Sequence, residues 1–284
     1  KHQGMSNLWS VLDAADPKQR LQCECKDKTA LGMACEAGNV PQPFPRCPWA
    51  IDLSEKPFPG RKDFKGQWGG KNALDNLGGW FWESGFTKDP IADVEQIRDL
   101  NLRAMYGAWD ALKNVDHLYP NHRIGWAAYI AGKRESRRLL GDVVLSPDDF
   151  LKNTAYPDGC FPCSWHIDIH AAHPKFNKGV EGEEFISEAT SGKNYDYKGP
   201  YWAPYRCLYS RNIPNLFMAG RDISVTHEGL GPVRVMRTCG MMGEIVGKAA
   251  TICIDELTTP REVYEKYLPL LQEMMNRPGS FRKS

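Results

Sequence analysis

Apolar residues at three- and four-residue spacing predict two amphipathic helices that flank the middle of the chain. The first covers residues 91–113, where valine, isoleucine, leucine and alanine recur on one side. The second covers residues 260–275, with Thr258 or Thr259 as its N-terminal cap and Pro260 in its first turn. Both segments are long enough to anchor a hydrophobic core.

Shorter apolar or alternating runs predict strands at residues 125–130, 142–145, 165–170 and 216–219. Six prolines between positions 41 and 59 exclude long helices, so residues 1–65 are expected to be irregular. Residues 173–200 are polar and are expected to form a loop. Strands interleaved with helices indicate an α/β class of mixed α+β character.

A third helix is predicted from Val235, directly after a strand, a glycine turn and a polar loop. Glycines at 240, 243 and 247 lie near its expected apolar face, and each costs about 1 kcal/mol relative to alanine. Close approach of a flat ligand or another backbone would offset that cost, and tight packing on a sheet is the alternative. The free N–H groups at its start suit an anionic cofactor. The expected apolar positions are Val235, Cys239, Met242, Val246, Ala249, Ala250 and Cys253.

The segment from Asn215 to Ala250 resembles the C-terminal flavin-binding motif of a family of FAD-dependent oxidoreductases within the glutathione-reductase-type flavoproteins. The similar pattern is NL-x-x-AGR-x-IS-x-TH-x-x-LG-x-x-RVM-x-TC, followed by a helix rich in small residues. The run from Gly132 to Arg138, the Asp168-Ile-His170 triplet and Pro204-Tyr-Arg206 agree with it. The resemblance implies FAD as cofactor, a partial Rossmann-like FAD-binding domain, an inserted substrate or cap domain with a β-sheet, and a bacterial source.

No G-x-G-x-x-G follows a predicted strand, although flavoproteins of this kind carry that motif near the N-terminus. The chain is therefore expected to be the C-terminal part of such an enzyme, unable to bind FAD alone if its partner half is missing. The expected division is a substrate or cap domain at 1–205, the end of the FAD-binding domain at 206–257 and a C-terminal helix at 258–284.

The resemblance places cofactor contacts on the glycine turn, the polar loop and the start of the third helix. Arg221 precedes Asp222 where related flavoproteins often carry Gly-Asp or Gly-Glu. Three roles are therefore open: Asp222 binds the ribityl chain, Arg221 binds a phosphate, or the two residues form a local ion pair. The expected cofactor-binding residues are Gly220, Arg221, Asp222, Gly231, Met236, Arg237, Thr238 and Gly240.

Four residues are candidates for chemistry. His227 is the expected proton acceptor because histidine titrates near neutral pH, and a structural role is its alternative. Arg234 could stabilise negative charge on a reduced flavin. Asp168 and His170, two positions apart, either face the substrate or fix a loop.

A charged run from Arg134 to Arg138 follows Gly132. Strand alternation would place Arg134 with Arg138 on one face and Glu135 on the other. Such a run is either a solvated, salt-bridged turn or a contact to FAD or substrate.

Composition narrows the function classes. Thirty-six Lys and Arg residues against 35 Asp and Glu give a net charge of +1, which gives no electrostatic case for nucleic acid or an anionic membrane. No apolar run reaches the roughly 20 residues of a transmembrane helix. Nine cysteines lack a disulfide-scaffold spacing, and Cys160-x-x-Cys163 is expected to be a pair of free thiols rather than a zinc or redox site.

The resemblance therefore predicts an FAD-dependent oxidoreductase that takes hydride from a CH–OH or CH–NH group of a small polar substrate. Carbohydrate is preferred from what the family resemblance implies and because aromatic side chains can stack on sugars. The alternative is a non-catalytic carbohydrate-binding module derived from a flavoenzyme. The expected partners are the substrate and either a second copy of the chain or a missing N-terminal half. The compartment, bacterial cytoplasm or periplasm, stays open.

Overall fold

The computed structural model describes residues 3–16, 41–61, 73–172, 184–189 and 200–277. These residues form two compact units. The N-terminal unit comprises residues 4–133 and 172–188, and the C-terminal unit comprises Gln3, residues 134–171 and residues from 189 onward. The predicted boundary after residue 205 does not coincide with this division, and the assignment of substrate and FAD domains stays a prediction.

The N-terminal unit contains short antiparallel strands and one long helix. Strand β1 (Met5–Ser6) lies between β3 (Glu83–Ser84) and β5 (Gly132–Lys133), and β2 (Trp9–Asp13) pairs with β4 (His122–Ala127). Helix α1 (Val94–Asp110) continues into a π-helical turn, Ala111–Val115, and a 3₁₀ turn covers Ala73–Asn76. Buried aromatic and aliphatic side chains of α1 pack with those of β2 and the segment before β3 to form the core of this unit.

The C-terminal unit contains two whole strands and most of the helices of the described residues. Its elements are α2 (Pro147–Leu151), β6 (Gly159–Cys163), β9 (Tyr201–Pro204), a 3₁₀ turn (Tyr205–Cys207), α3 (Leu230–Val233), α4 (Met236–Asp255), α5 (Pro260–Lys266) and α6 (Leu268–Asn276). Strands β7 (His170–Ala172) and β8 (Ser187–Ala189) each have residues in both units. Strands β7 and β8 carry the chain from one unit to the other along the sequence. Strand β6 pairs antiparallel with β9, and α4 packs on β6 and against α5 and α6. The fold is of the mixed helix and strand class that the sequence predicts.

Two of the predicted helices are confirmed closely. Helix α1 lies within the predicted 91–113, and α4 begins directly after Val235, which is its N-cap. The predicted C-terminal helix is two helices, because Tyr267 leaves the helical conformation and Pro269 cannot donate to the preceding turn. Thr259 is the cap, since its hydroxyl accepts the N–H of Glu262.

The strand prediction at 216–219 is wrong. Tyr209 and Phe217 make a single antiparallel bridge, in which Met218 N–H donates to the carbonyl of Leu208 at 2.7 Å. Pro214 lacks a donor, and Gly220 turns away with φ at +125°. The extended contact is therefore too short for a strand.

The predicted strands at 142–145 and 165–170 are also largely wrong. Leu145 makes one parallel bridge to Val225, while the N–H groups of Asp142 and Val143 both donate to the carbonyl of Arg206. The 165–170 segment becomes a strand only at His170. Residues 1–65 are not wholly irregular, because β1 and β2 fall within them. Most of the predicted loop at 173–200 lies outside the described residues.

The expected apolar face of α4 is partly wrong. Its buried side chains are Thr238, Met242, Ile245, Ala249 and Ile252. At 100° per residue, Gly240, Gly243 and Gly247 lie on the opposite side. Nothing described lies within 4 Å of the positions that a Cβ would occupy on these three glycines. They form a bare outer face rather than a packed inner one.

Candidate functional site

A buried carboxylate holds the imidazole of His227. Nδ1 of His227 lies 2.6 Å from Oε1 of Glu135, across 92 residues of sequence. The Glu135 side chain is 0% exposed and the His227 side chain is 17% exposed. The imidazole is therefore fixed on one side and reachable from solvent on the other.

Glu135 has two further partners in the C-terminal unit. The backbone N–H of Gln3 donates to Oε1 at 2.6 Å, and a guanidinium nitrogen of Arg138 donates to Oε2. The contact between Arg138 and Glu135 at i and i+3 shows that the predicted strand alternation of this run is wrong. The run is therefore neither a fully solvated turn nor an extended strand, because it folds around the buried carboxylate of Glu135.

A second cluster joins Asp168, His170 and Arg234. Nη2 of Arg234 donates to Oδ2 of Asp168 at 2.7 Å, and Nε2 of His170 lies 3.4 Å from Oδ1 of the same carboxylate. Asp168 and His170 do not lie on one strand, because the strand begins only at His170, and their role toward a substrate stays a prediction. Arg234 is neutralised by Asp168 and not left as an isolated cation.

The charge of Asp168 is held by its neighbours. Burial alone would raise the pKa of this carboxyl, but a hydrogen bond with His170 and electrostatic interactions with His170, Arg234 and His166 lower the pKa to about 2. Asp168 is therefore ionised throughout the neutral range, and it orients both His170 and Arg234.

Gln3 connects the two clusters. Its backbone N–H donates to Glu135, and its side-chain oxygen accepts the backbone N–H of His170 at 3.2 Å. Gln3 is fully buried. Among the contacts of the described residues, none joins His227 to Arg234 directly, so Gln3 is what brings the two groups into one network.

The loop before α4 is packed against Asp168. A Cβ on Gly231 would lie 2.6 Å from the backbone nitrogen of Asp168, so only glycine fits there without a shift. Gly231 is thus a packing residue, and its predicted contact to the cofactor stays a prediction.

The glycine turn at 220 ends at two exposed side chains. The N–H of Gly220 donates to the sulfur of Met242 at 3.3 Å, which ties the turn to α4. Nη1 of Arg221 donates to the carbonyl of Arg134 at 3.4 Å, and the carbonyl of Asp222 accepts the N–H of Leu139. Both side chains can reach solvent, as a ligand to a cofactor must.

The start of α4 is open. Val235 makes no side-chain cap, the first turn holds no acidic residue, and Met236 is 91% exposed. Arg237 is exposed in that turn, whereas the Thr238 side chain is buried. The N–H groups of these three residues precede the first backbone bond of the helix, from Cys239 to Val235. A positive side chain at this positive helix end is unfavourable unless an anion joins it.

The family model for FAD dependent oxidoreductases matches residues 16–275. The chain belongs to this family. A search of curated proteins finds no match, and a search of solved structures finds none. The FAD dependent oxidoreductases bind FAD, so the predicted cofactor is confirmed at the level of the family.

The residues present fit FAD at the start of α4. The open N–H groups and Arg237 suit a phosphate or the electron-rich edge of a flavin ring. Beyond them, the bare backbone face at Gly240 leaves room for a flat group. Met236, Arg237, Thr238 through its N–H group and Gly240 would hold the cofactor, with Arg221 and Asp222 as candidates from the preceding turn.

Cys160 and Cys163 lie on β6 as buried free thiols. Burial raises the pKa of Cys163 to about 12 and raises that of Cys160 well above its ordinary value. Neutral, covered thiols are poor nucleophiles and poor metal ligands. Within the part of the chain that the structure describes, no group of three or more potential metal ligands occurs, and no helix is long and apolar enough to cross a membrane.

Tryptophans divide between core and surface. Trp9, Trp82 and Trp109 are buried in the core of the N-terminal unit, whereas Trp49 and Trp202 are about half exposed. The exposed rings are available for stacking, and a sugar as their ligand stays a prediction.

Sequence reasoning missed how the charged residues pair. The run from Arg134 to Arg138 held one acid among three arginines, which is the pattern of a carboxylate that is neutralised on burial. That pattern could have suggested Glu135 as a buried residue. No sequence pattern indicates Gln3, because its role depends on contacts across 132 and 167 residues.

Proposed function

We propose that this FAD dependent oxidoreductase oxidises a CH–OH or CH–NH group of a small polar molecule, with His227 as the proton acceptor. The observation that carries the proposal is the 2.6 Å contact between Nδ1 of His227 and the buried Glu135, which leaves Nε2 as the reactive nitrogen of a partly exposed ring. An imidazole supported by a carboxylate is the common form of a protein general base.

FAD, when bound, supplies the acceptor for the hydride that leaves the substrate carbon. The substrate oxygen or nitrogen then loses its proton to Nε2 of His227, and a C=O or C=N bond forms. Asp168 fixes Arg234 beside His170, which provides a polar surface for substrate groups. Carbohydrates and polyols are the first class to screen, followed by amines, because all carry the required C–H beside O–H or N–H.

The first experiment is an absorbance spectrum of the chain after incubation with FAD and removal of free cofactor. Flavin bands that remain with the protein support the proposal, and a colourless protein overturns it for this chain. Anaerobic addition of a sugar, polyol and amine panel should then bleach the flavin with at least one compound.

The second experiment replaces His227 with asparagine. We expect the rate of substrate-dependent flavin bleaching to fall by about 10²–10⁴ while FAD stays bound, since only proton transfer is removed. His117→Asn is the matched control, because His117 is exposed in the N-terminal unit and should leave the rate unchanged. An H227N rate equal to that of the unaltered chain would show that His227 is not the base.

A further inference from the structure

Glu135 is saturated with hydrogen-bond donors although it is inaccessible to water. Oε1 receives the N–H of Gln3 and contacts Nδ1 of His227, and Oε2 receives Arg138. The carboxylate is 0% exposed, whereas the Arg138 side chain is 21% exposed. The guanidinium of Arg138 is therefore in direct contact with the buried carboxylate of Glu135.

This pairing decides which form of Glu135 is present. A buried carboxylate without a cation is strongly disfavoured in its charged form. Arg138 and the Gln3 N–H supply the compensation, so Glu135 is a charged group that only accepts hydrogen bonds.

The form of Glu135 in turn decides where the proton of neutral His227 lies. Because Oε1 can only accept, Nδ1 must carry the hydrogen, and Nε2 keeps its lone pair. If Glu135 were neutral, its O–H would donate to Nδ1 and the ring hydrogen would move to Nε2. Nε2 would then be a donor and could not take a proton.

We propose that Glu135 and Arg138 are a positioning pair that fixes the tautomer of His227 with hydrogen on Nδ1. Glu135 touches the imidazole, and Arg138 acts through Glu135 by holding its charge. The effect on turnover rests on the proposed function, whereas the tautomer is a property of the folded chain alone.

The test is long-range ¹H–¹⁵N NMR of the histidine rings in the full chain, recorded over rising pH until the ring spectra stop changing. Chemical shifts of the two ring nitrogens distinguish the protonated from the bare one. H227N assigns the signals by their loss. In the unaltered chain we expect hydrogen on Nδ1 of His227, and hydrogen on Nε2 would overturn the proposal.

Substitutions at Arg138 separate charge from shape. Arg138→Met removes the cation and should move the ring hydrogen to Nε2, whereas Arg138→Lys keeps the charge and should preserve Nδ1–H. Arg137→Gln is the matched control, because Arg137 is an exposed neighbour in the same run. An R138M spectrum with Nδ1–H unchanged would overturn the role of Arg138.

Glu135→Leu removes the hydrogen-bond acceptor of Nδ1 and should abolish the preference of His227 for one tautomer. A preference that persists in E135L would overturn the role of Glu135.

A kinetic readout distinguishes this proposal from the proposed function. If the chain oxidises a substrate, R138M should lower kcat on the order of 10²–10⁴-fold and leave KM unchanged, and R138K should restore most of the rate. A tautomer that responds as expected in a chain that bleaches no flavin would support the positioning pair and reject the oxidoreductase. A normal kcat in R138M with the tautomer moved would reject His227 Nε2 as the base.

Discussion

At the residue scale, Asp168 shows how one charge organises several side chains. Its carboxylate is 14% exposed and contacts both His170 and Arg234. Without it, the Nη2 group of Arg234 would lose its anionic acceptor in a largely covered position. Removing one partner of such a pair costs more than the pair contributes, because the remaining charge stays buried.

We expect Asp168→Asn to lower the free energy of unfolding by roughly 2 kcal/mol at neutral pH. The pKa of Asp168 is lowered to about 2 in the folded chain, so its stabilisation is complete above the ordinary carboxyl pKa of about 4 and is lost as the pH falls toward 2. Urea unfolding of both chains across that range measures the difference, which should shrink with acid. Asp99→Asn, at an exposed carboxylate, is the control and should change little at any pH. A D168N deficit that stays constant with pH would contradict this origin.

At the element scale, α4 combines a packed face with a bare one. Its inner face contributes Met242, Ile245, Ala249 and Ile252 to the core, and its outer face is backbone at three glycines. Each exposed glycine weakens the helix without gaining contacts among the described residues. The helix is therefore stabilised by tertiary packing rather than by its own propensity.

We expect Gly247→Ala to raise the free energy of unfolding by about 0.5–1 kcal/mol, because a methyl group enters open space and the unfolded chain loses freedom. Gly231→Ala is the matched contrast, since its Cβ would meet the backbone of Asp168. Thermal unfolding of the cofactor-free chain should show stabilisation by G247A and destabilisation by G231A. A G247A chain that is less stable would show that this face of α4 is covered.

The elements differ in how far sequence predicts them. Helices α1 and α4 and the Thr259 cap are specified by residues within a few positions, so periodicity and capping chemistry find them. The strands are two to six residues long and depend on distant partners, as when Met5 pairs with both Ser84 and Lys133. The apolar run at 142–145 and the alternation at 165–170 mislead, because hydrogen bonds to Arg206, Gln3 and Arg234 replace strand pairing there.

At the scale of the whole molecule, the sequence identifies the candidate residues but not how they are connected. The four candidates His227, Arg234, Asp168 and His170 all lie in the C-terminal unit. Their partners Glu135 and Gln3 come from segments far away in the chain. Resemblance to a family selects residue types at aligned positions, whereas tautomers and charge compensation depend on which side chains meet in three dimensions.

The near-neutral net charge of the chain determines how FAD binding is expected to depend on salt. Thirty-six basic and 35 acidic residues leave no bulk field to attract FAD, so salt dependence must come from a few local charges such as Arg237. We expect FAD at a hundredfold excess over Kd to raise the free energy of unfolding by about 2.7 kcal/mol, because it binds only the folded chain.

Added salt should weaken FAD binding modestly. Arg237→Gln should raise the Kd for FAD and remove most of that salt dependence, because the cation at the start of α4 is gone. Titration by flavin fluorescence at several salt concentrations measures both effects. Arg137→Gln, at another exposed arginine that lies away from a helix start, should retain the Kd and the salt dependence of the unaltered chain. An R237Q chain that binds FAD as the unaltered chain does would remove the start of α4 from the cofactor site.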